Sequence, residues 1–103
     1  MKRTNKQMIK NADNNYLLQG DLTLKTVAGI YQASLLDFKN SEKLSIDLSE
    51  VKVFDSSAIS LLLSWIRDAK AQSAKEVIFK HIPADLQTLI KENKLDMIIR
   101  SSA

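Results

Sequence analysis

Hydrophobic and polar residues alternate along residues 44–48, where leucine or isoleucine occupies every second position. A period of two predicts a β-strand with one buried face. Residues 76–80 predict a later strand, because the central valine, isoleucine and phenylalanine suit a pleated, buried surface. Val51 and Val53 follow the first of these strands and carry apolar character into the loop that we expect there.

Three shorter segments predict the remaining strands of the sheet. Residues 6–9 and 16–18 flank the turn-forming sequence Asp-Asn-Asn at 13–15, so we expect these two strands to form a hairpin. Residues 95–99 are again apolar and predict a final short strand.

Apolar residues at steps of three and four predict three helices. We place them at residues 25–38, 57–72 and 84–92. Thr23 or Thr26 is a candidate cap for the first helix. Pro83 suits the first turn of the third helix, where its missing N–H leaves no hydrogen bond unmade.

The elements therefore follow the order β-β-α-β-α-β-α-(β), which predicts an α/β fold. Strands separated by helices favour right-handed crossovers, so we expect a mixed sheet of four to five strands with helices mainly on one face. The chain has no repeats or linkers, and residues 1–103 are expected to form a single domain.

Composition excludes several classes of function. The 103 residues include no cysteine, which excludes disulfides and thiolate metal sites, and a single histidine, His81, which cannot form a histidine cluster. Two glycines cannot form a glycine-rich phosphate loop. A net charge of +3 is too small to indicate nucleic-acid binding. Because neither a signal peptide nor a membrane-spanning stretch is evident, we expect a cytoplasmic chain. We also expect no cofactor and no metal.

The sequence Asp55-Ser56-Ser57 stands at the predicted start of the second helix. It holds one carboxylate and two hydroxyls where backbone N–H groups lack helical partners. These side chains either cap the helix or recognise a partner.

The second helix carries two kinds of face. An apolar stripe of Ile59, Leu62, Leu63 and Ile66 is expected to pack on the sheet, and a polar stripe contains Ser57, Ser60, Ser64 and Arg67. Leu61 and Trp65 lie beside the polar stripe, four residues apart. Since Trp and Arg contribute strongly to interfaces, this region is a candidate docking surface. The alternative is that Trp65 belongs to the half-buried edge of the core.

Catalysis has little support in the sequence. Asp47 and Asp55 are eight residues apart, but no histidine or third carboxylate accompanies them as an acid–base or metal pair. Ser56 as a nucleophile would need His81 as its base, and a G-x-S-x-G elbow is missing. We therefore expect a non-enzymatic protein with His81 on its surface.

Four segments, in order, resemble the signature of STAS domains. They are Gly20-Asp21-Leu22-Thr23 before a helix, Leu44-Ser45-Ile46-Asp47-Leu48-Ser49, Asp55-Ser56-Ser57, and the third helix followed by Leu95-Asp96. This family includes bacterial anti-sigma-factor antagonists, cytoplasmic tails of sulfate transporters and the MlaB-type subunit of a phospholipid ABC transporter. The resemblance covers nearly the whole chain.

The resemblance implies a role for Ser56 in either of two ways. In the antagonists, a kinase phosphorylates the hydroxyl residue that directly follows the motif's aspartate. In MlaB-type subunits, the equivalent residue lies in the surface that contacts the ATPase. Thr23 stands where antagonists usually carry aspartate, which favours the MlaB type, and Ala58 replaces a common glycine.

The resemblance therefore implies a non-enzymatic cytoplasmic subunit that binds and stabilises the ATPase of a phospholipid ABC transporter. Such a subunit would reach the inner membrane only through the complex. The alternative is an anti-sigma-factor antagonist whose Ser56 is phosphorylated by an anti-sigma factor kinase. The expected partner-binding residues are Asp55, Ser56, Ser57, Ser60, Leu61, Ser64, Trp65 and Arg67.

Overall fold

Five strands and three helices make up the part of the chain that the computed structural model describes, which is residues 8–12, 15–37, 43–71, 76–99 and 101–102. Their order is β1 (Met8–Ala12), β2 (Asn15–Leu22), α1 (Val27–Asp37), β3 (Lys43–Phe54), α2 (Ser57–Ala71), β4 (Glu76–Lys80), α3 (Ala84–Glu92) and β5 (Ser101–Ser102). The predicted order of elements is confirmed. Predicted features at residues 6–7, 13–14, 38 and 72 lie outside the described residues.

The strands form one mixed sheet in the order β1-β2-β3-β4-β5. The first two strands pair antiparallel, which confirms the predicted hairpin, and the other neighbouring strands pair parallel. Parallel strands joined through helices are the arrangement that the alternating order of elements predicted. The fold class is therefore a mixed α/β sheet, as expected.

Strand β3 is longer than the sequence predicted. It continues through Val51 and Val53 to Phe54, so the loop that we expected at these residues is wrong. The cause is the partner strand, because Gly20 pairs with Val51 and Leu22 pairs with Phe54. The pairing also shifts register between Leu17 and Gln19, which disturbs the alternation that a strand normally shows.

The predicted strand at residues 95–99 is also wrong. Residues 96–98 form a turn instead. The Ile99 N–H closes this turn by donating to the Leu95 carbonyl, and the Leu95 N–H donates to the Ile90 carbonyl at the end of α3. Ile99 is buried, whereas Met97 and Ile98 are exposed. The last strand is instead the short β5, which pairs with Phe79 and Lys80.

The core lies mainly on one face of the sheet. Alternate residues of β3 (Leu44, Ile46 and Leu48) are buried, while Ser45 and Asp47 between them are only half-buried. Each of the three helices contributes buried apolar residues to the same cluster. This distribution agrees with the expectation that the helices pack mainly on one face.

Helix α2 is rotated relative to the predicted orientation. Leu61 and Trp65 were predicted to lie beside the polar stripe of α2 and to contact a partner. Each is only 3% exposed and belongs to the core. The Trp65 ring stacks on Phe79 with 6.4 Å between ring centroids, and its Nε1 donates to the Ser34 hydroxyl at 2.8 Å. A buried indole needs such an acceptor, and α1 supplies it. Leu63 and Ile66 are half-buried at the edge of the same cluster.

Candidate functional site

Asp55 connects the end of β3 to the start of α2. Its Oδ1 accepts the Ser57 N–H at 2.8 Å, and its backbone carbonyl accepts the Ala58 N–H at 2.9 Å. These bonds satisfy two of the N–H groups that a helix N-terminus leaves without helical partners. The predicted capping role is therefore performed by the carboxylate of Asp55.

The second carboxylate oxygen of Asp55 reaches a distant segment. Its Oδ2 accepts the Leu24 N–H at 3.1 Å, and the Asp55 N–H donates to the Leu22 carbonyl at 3.1 Å. Asp55 thus joins the start of α2 to the turn that precedes α1. Because the two segments are 31 residues apart, no local pattern in the sequence shows this contact.

Both candidate capping threonines act within that turn. Thr26 Oγ1 accepts the Thr23 N–H at 2.9 Å and donates to the Asp21 carbonyl at 2.7 Å. Thr23 Oγ1 accepts the Lys25 N–H at 3.3 Å. The threonines fix the shape of the turn, and Asp55 fixes its position against α2.

The hydrogen bonds to Asp55 lower its pKa. The Leu24 N–H contributes most and the Ser57 N–H contributes next, because both donate to the ionised carboxylate. The stability that these bonds to ionised Asp55 give the folded chain is fully present above pH 3.8, the ordinary pKa of the carboxyl group. It is lost as the pH falls through the lower pKa of the folded chain.

We expect the amide resonance of Leu24 to report this titration directly. Its chemical shift should follow a single carboxyl titration with a midpoint below 3.8. An NMR pH titration of the free chain measures the midpoint, and Asp55→Ser should remove the transition. A midpoint above 3.8 would contradict the account of the Asp55 contacts.

Ser56 is exposed, and its hydroxyl makes no hydrogen bond within the part of the chain that the structure describes. Its backbone carbonyl accepts the Ile59 N–H at 3.1 Å, so the residue is fixed while its side chain stays accessible. Ser60 lies four residues further along α2 and is also exposed. The two hydroxyls therefore share one face of the helix.

Two exposed apolar side chains flank Asp55. Leu24 is 77% exposed and Val53 is 53% exposed. Sequence reasoning missed both of them, although a leucine within the polar turn Thr-Leu-Lys-Thr was an available signal. We call the set formed by Leu24, Val53, Asp55, Ser56 and Ser60 the docking surface.

The remaining predicted site residues lie elsewhere or are less accessible. Ser57 and Ser64 are half-buried, and Arg67 is exposed with its Nη2 3.4 Å from the Ser64 hydroxyl. Leu61 and Trp65 cannot contact a partner because they are buried in the core. The predicted partner-binding face is therefore corrected at these two positions.

Asp47 and His81 form a separate contact. His81 Nδ1 lies 3.3 Å from Asp47 Oδ1, and Ser49 donates its N–H to the same carboxyl at 2.8 Å. Burial would raise the pKa of Asp47, but the Ser49 and His81 contacts outweigh it and hold the pKa below its ordinary value. Phe54 lies seven positions beyond Asp47 along β3, about 23 Å of strand, so His81 is too far away to serve Ser56 as a base.

Among the described residues, no group of three or more His, Asp or Glu side chains could hold a metal ion. In the same part of the chain, no helix combines the length and apolar character needed to span a membrane.

The family model described as "Mlab, STAS domain" matches residues 13–100. The chain belongs to this STAS family. The fold of the STAS domain is similar to that of the anti-sigma factor antagonist SpoIIAA in its unphosphorylated form, with a TM-score of 0.72 and 15% identity over 94% of this chain and 87% of that chain.

The STAS domain is also similar to the Bacillus cell fate determinant SpoIIAA in the phosphorylated form. Here the TM-score is 0.67 and the identity is 16%, covering 94% of this chain and 90% of that chain. No curated protein sequence matches the chain. At these identities the likeness shows the fold. The family match supports a regulatory role, because STAS domains generally act through contacts with other proteins.

Proposed function

We propose that this STAS domain is a non-enzymatic cytoplasmic subunit that binds the ATPase of a phospholipid ABC transporter and stabilises its assembled state. The observation that carries the proposal is the match to the MlaB-type family across residues 13–100. The Thr-Leu-Lys-Thr turn, with threonine at position 23, follows the MlaB-type resemblance rather than the antagonist pattern.

The docking surface has the chemistry that such a contact needs. Leu24 and Val53 offer apolar area that a partner can remove from water. Ser56 and Ser60 offer hydroxyls that can hydrogen-bond across an interface. A subunit that binds one state of the ATPase more tightly than another shifts the ATPase toward that state, without catalysing a reaction itself.

Affinity capture of the tagged chain from its native cell tests the proposal. We expect mass spectrometry to identify an ABC transporter ATPase as the main partner, with Ser56 unmodified. Capture of an anti-sigma factor kinase, together with phosphate on Ser56, would overturn the transporter assignment. A tagged Leu24→Asp variant serves as the control, because specific capture should be lost with it.

A second candidate function is an anti-sigma-factor antagonist controlled by phosphorylation of Ser56. The observation that favours it is the exposed Ser56 hydroxyl at the start of α2, which makes no hydrogen bond to any residue that the structure describes. The similar SpoIIAA structures, one unphosphorylated and one phosphorylated, also support it. A phosphate there would add about −1.5 to −2 charges beside Asp55.

For this second function, we expect Ser56→Asp to abolish binding to the anti-sigma factor kinase, because a fixed negative charge would stand in the contact surface. The matched control is Ser56→Ala, which removes the phosphate acceptor while adding no charge. Isothermal titration calorimetry of the variants with that kinase measures the effect. Phosphate found only on other residues after incubation with the kinase would exclude this function.

A further inference from the structure

We propose that Asp55 is a positioning residue of the docking surface, which holds Leu24 beside Ser56 so that both meet the ATPase together. The inference rests on the proposed function and deepens it, since it assigns separate tasks to the two oxygens of one carboxylate. Oδ1 caps α2 through Ser57, and Oδ2 holds the turn through Leu24.

Side-chain packing does little to fix the position of Leu24. With 77% of its surface exposed, its side chain gains little from packing against the rest of the chain. Its location therefore depends on the backbone of the turn. Two hydrogen bonds of 3.1 Å join this segment to Asp55, because the Leu24 N–H donates to the Asp55 carboxylate and the Leu22 carbonyl accepts the Asp55 N–H. Hydrogen bonds to an ionised carboxylate are stronger than neutral ones, so this contact suits the task.

A preordered apolar contact binds more tightly than a mobile one, because less conformational freedom is lost on association. An ordered Leu24 beside the Ser56 hydroxyl would let the partner engage an apolar and a polar group in one geometry. The two tasks of Asp55 can be separated by substitution. Serine is a good helix cap, but its one hydroxyl oxygen cannot serve both segments as the two carboxylate oxygens do.

The first test uses the free chain with Asp55→Ser. We expect hydrogen exchange of the Leu24 amide, measured by NMR, to accelerate about tenfold or more, because the amide loses its hydrogen-bond acceptor. The amides of Ala58 and Ile59, donors within the first turn of α2, should keep their exchange rates. An unchanged Leu24 exchange rate overturns the inference whatever the partner does.

The second test is a double-variant cycle with the ATPase. We expect Asp55→Ser and Leu24→Ala each to weaken binding, and the combined variant to bind no more weakly than Leu24→Ala alone. If the fold-losses in affinity of the two single variants multiplied in the combined variant, the inference would be overturned, because Asp55 would then act independently of Leu24. Failure of the wild-type chain to bind the ATPase overturns the proposed function instead and is seen before any variant is measured.

Discussion

Replacing Trp65 with alanine should destabilise the domain by about 3–5 kcal/mol, as large-to-small substitutions of a buried tryptophan do. The side chain is 3% exposed, stacks on Phe79 and donates to the Ser34 hydroxyl, so the substitution removes both packing and a buried hydrogen bond. This loss is a large share of the roughly 5–15 kcal/mol by which domains are stable. Chemical denaturation followed by circular dichroism measures it.

Trp65→Phe is the matched control for this prediction. Phenylalanine keeps a ring against Phe79 but cannot donate to Ser34, so we expect a smaller loss, of about 1–3 kcal/mol. If Trp65→Ala instead left the stability unchanged and weakened only the binding of a partner, the residue would be on the surface. That result would contradict the buried position of Trp65 in the core.

Leu24→Asp should weaken binding to the proposed ATPase partner by about 30-fold or more, which corresponds to about 2 kcal/mol at an interface hot spot. The substitution replaces an exposed apolar side chain with a charge that must be desolvated when the partner docks. Because Leu24 is 77% exposed, the stability of the free domain should change little. Surface plasmon resonance with the purified ATPase gives the affinity.

Met97→Asp is the matched control for Leu24→Asp. Met97 is 81% exposed and lies in the turn after α3, so it offers an equally accessible apolar side chain away from Asp55. We expect its substitution to leave the affinity unchanged. Equal losses from both variants would indicate a non-specific effect of charge rather than a contact at the docking surface.

The sequence predicted the order of elements and the start of α2 because these depend on local patterns. Alternation at residues 44–48 and the Asp55-Ser56-Ser57 cap need only near neighbours to be recognised. The extension of β3 to Phe54 was missed because it depends on pairing with β2, which lies far away in the sequence. The strand predicted at 95–99 failed because an apolar segment of that length does not distinguish a strand from a turn that buries one residue.

The orientation of α2 shows a second limit of sequence patterns. Apolar residues occupy seven of the ten positions from 58 to 67, so the apolar arc is wide and its centre is ambiguous. The contact that fixes the orientation joins Trp65 to Ser34, 31 residues earlier. The Leu24–Asp55 hydrogen bond spans the same sequence distance. Both features depend on tertiary structure, which is why exposed residues of this region could not be separated from core residues beforehand.

Hydrogen–deuterium exchange of the chain, alone and with the proposed ABC transporter ATPase, shows directly whether the docking surface contacts the partner. We expect binding to protect residues 22–26 and 53–60, the two segments that carry the docking surface. Peptides that cover α3 and residues 95–99 should exchange at the same rate in both samples. If protection were confined to α3 and residues 95–99, with none at 22–26 or 53–60, the partner would bind elsewhere and the proposed docking surface would be wrong.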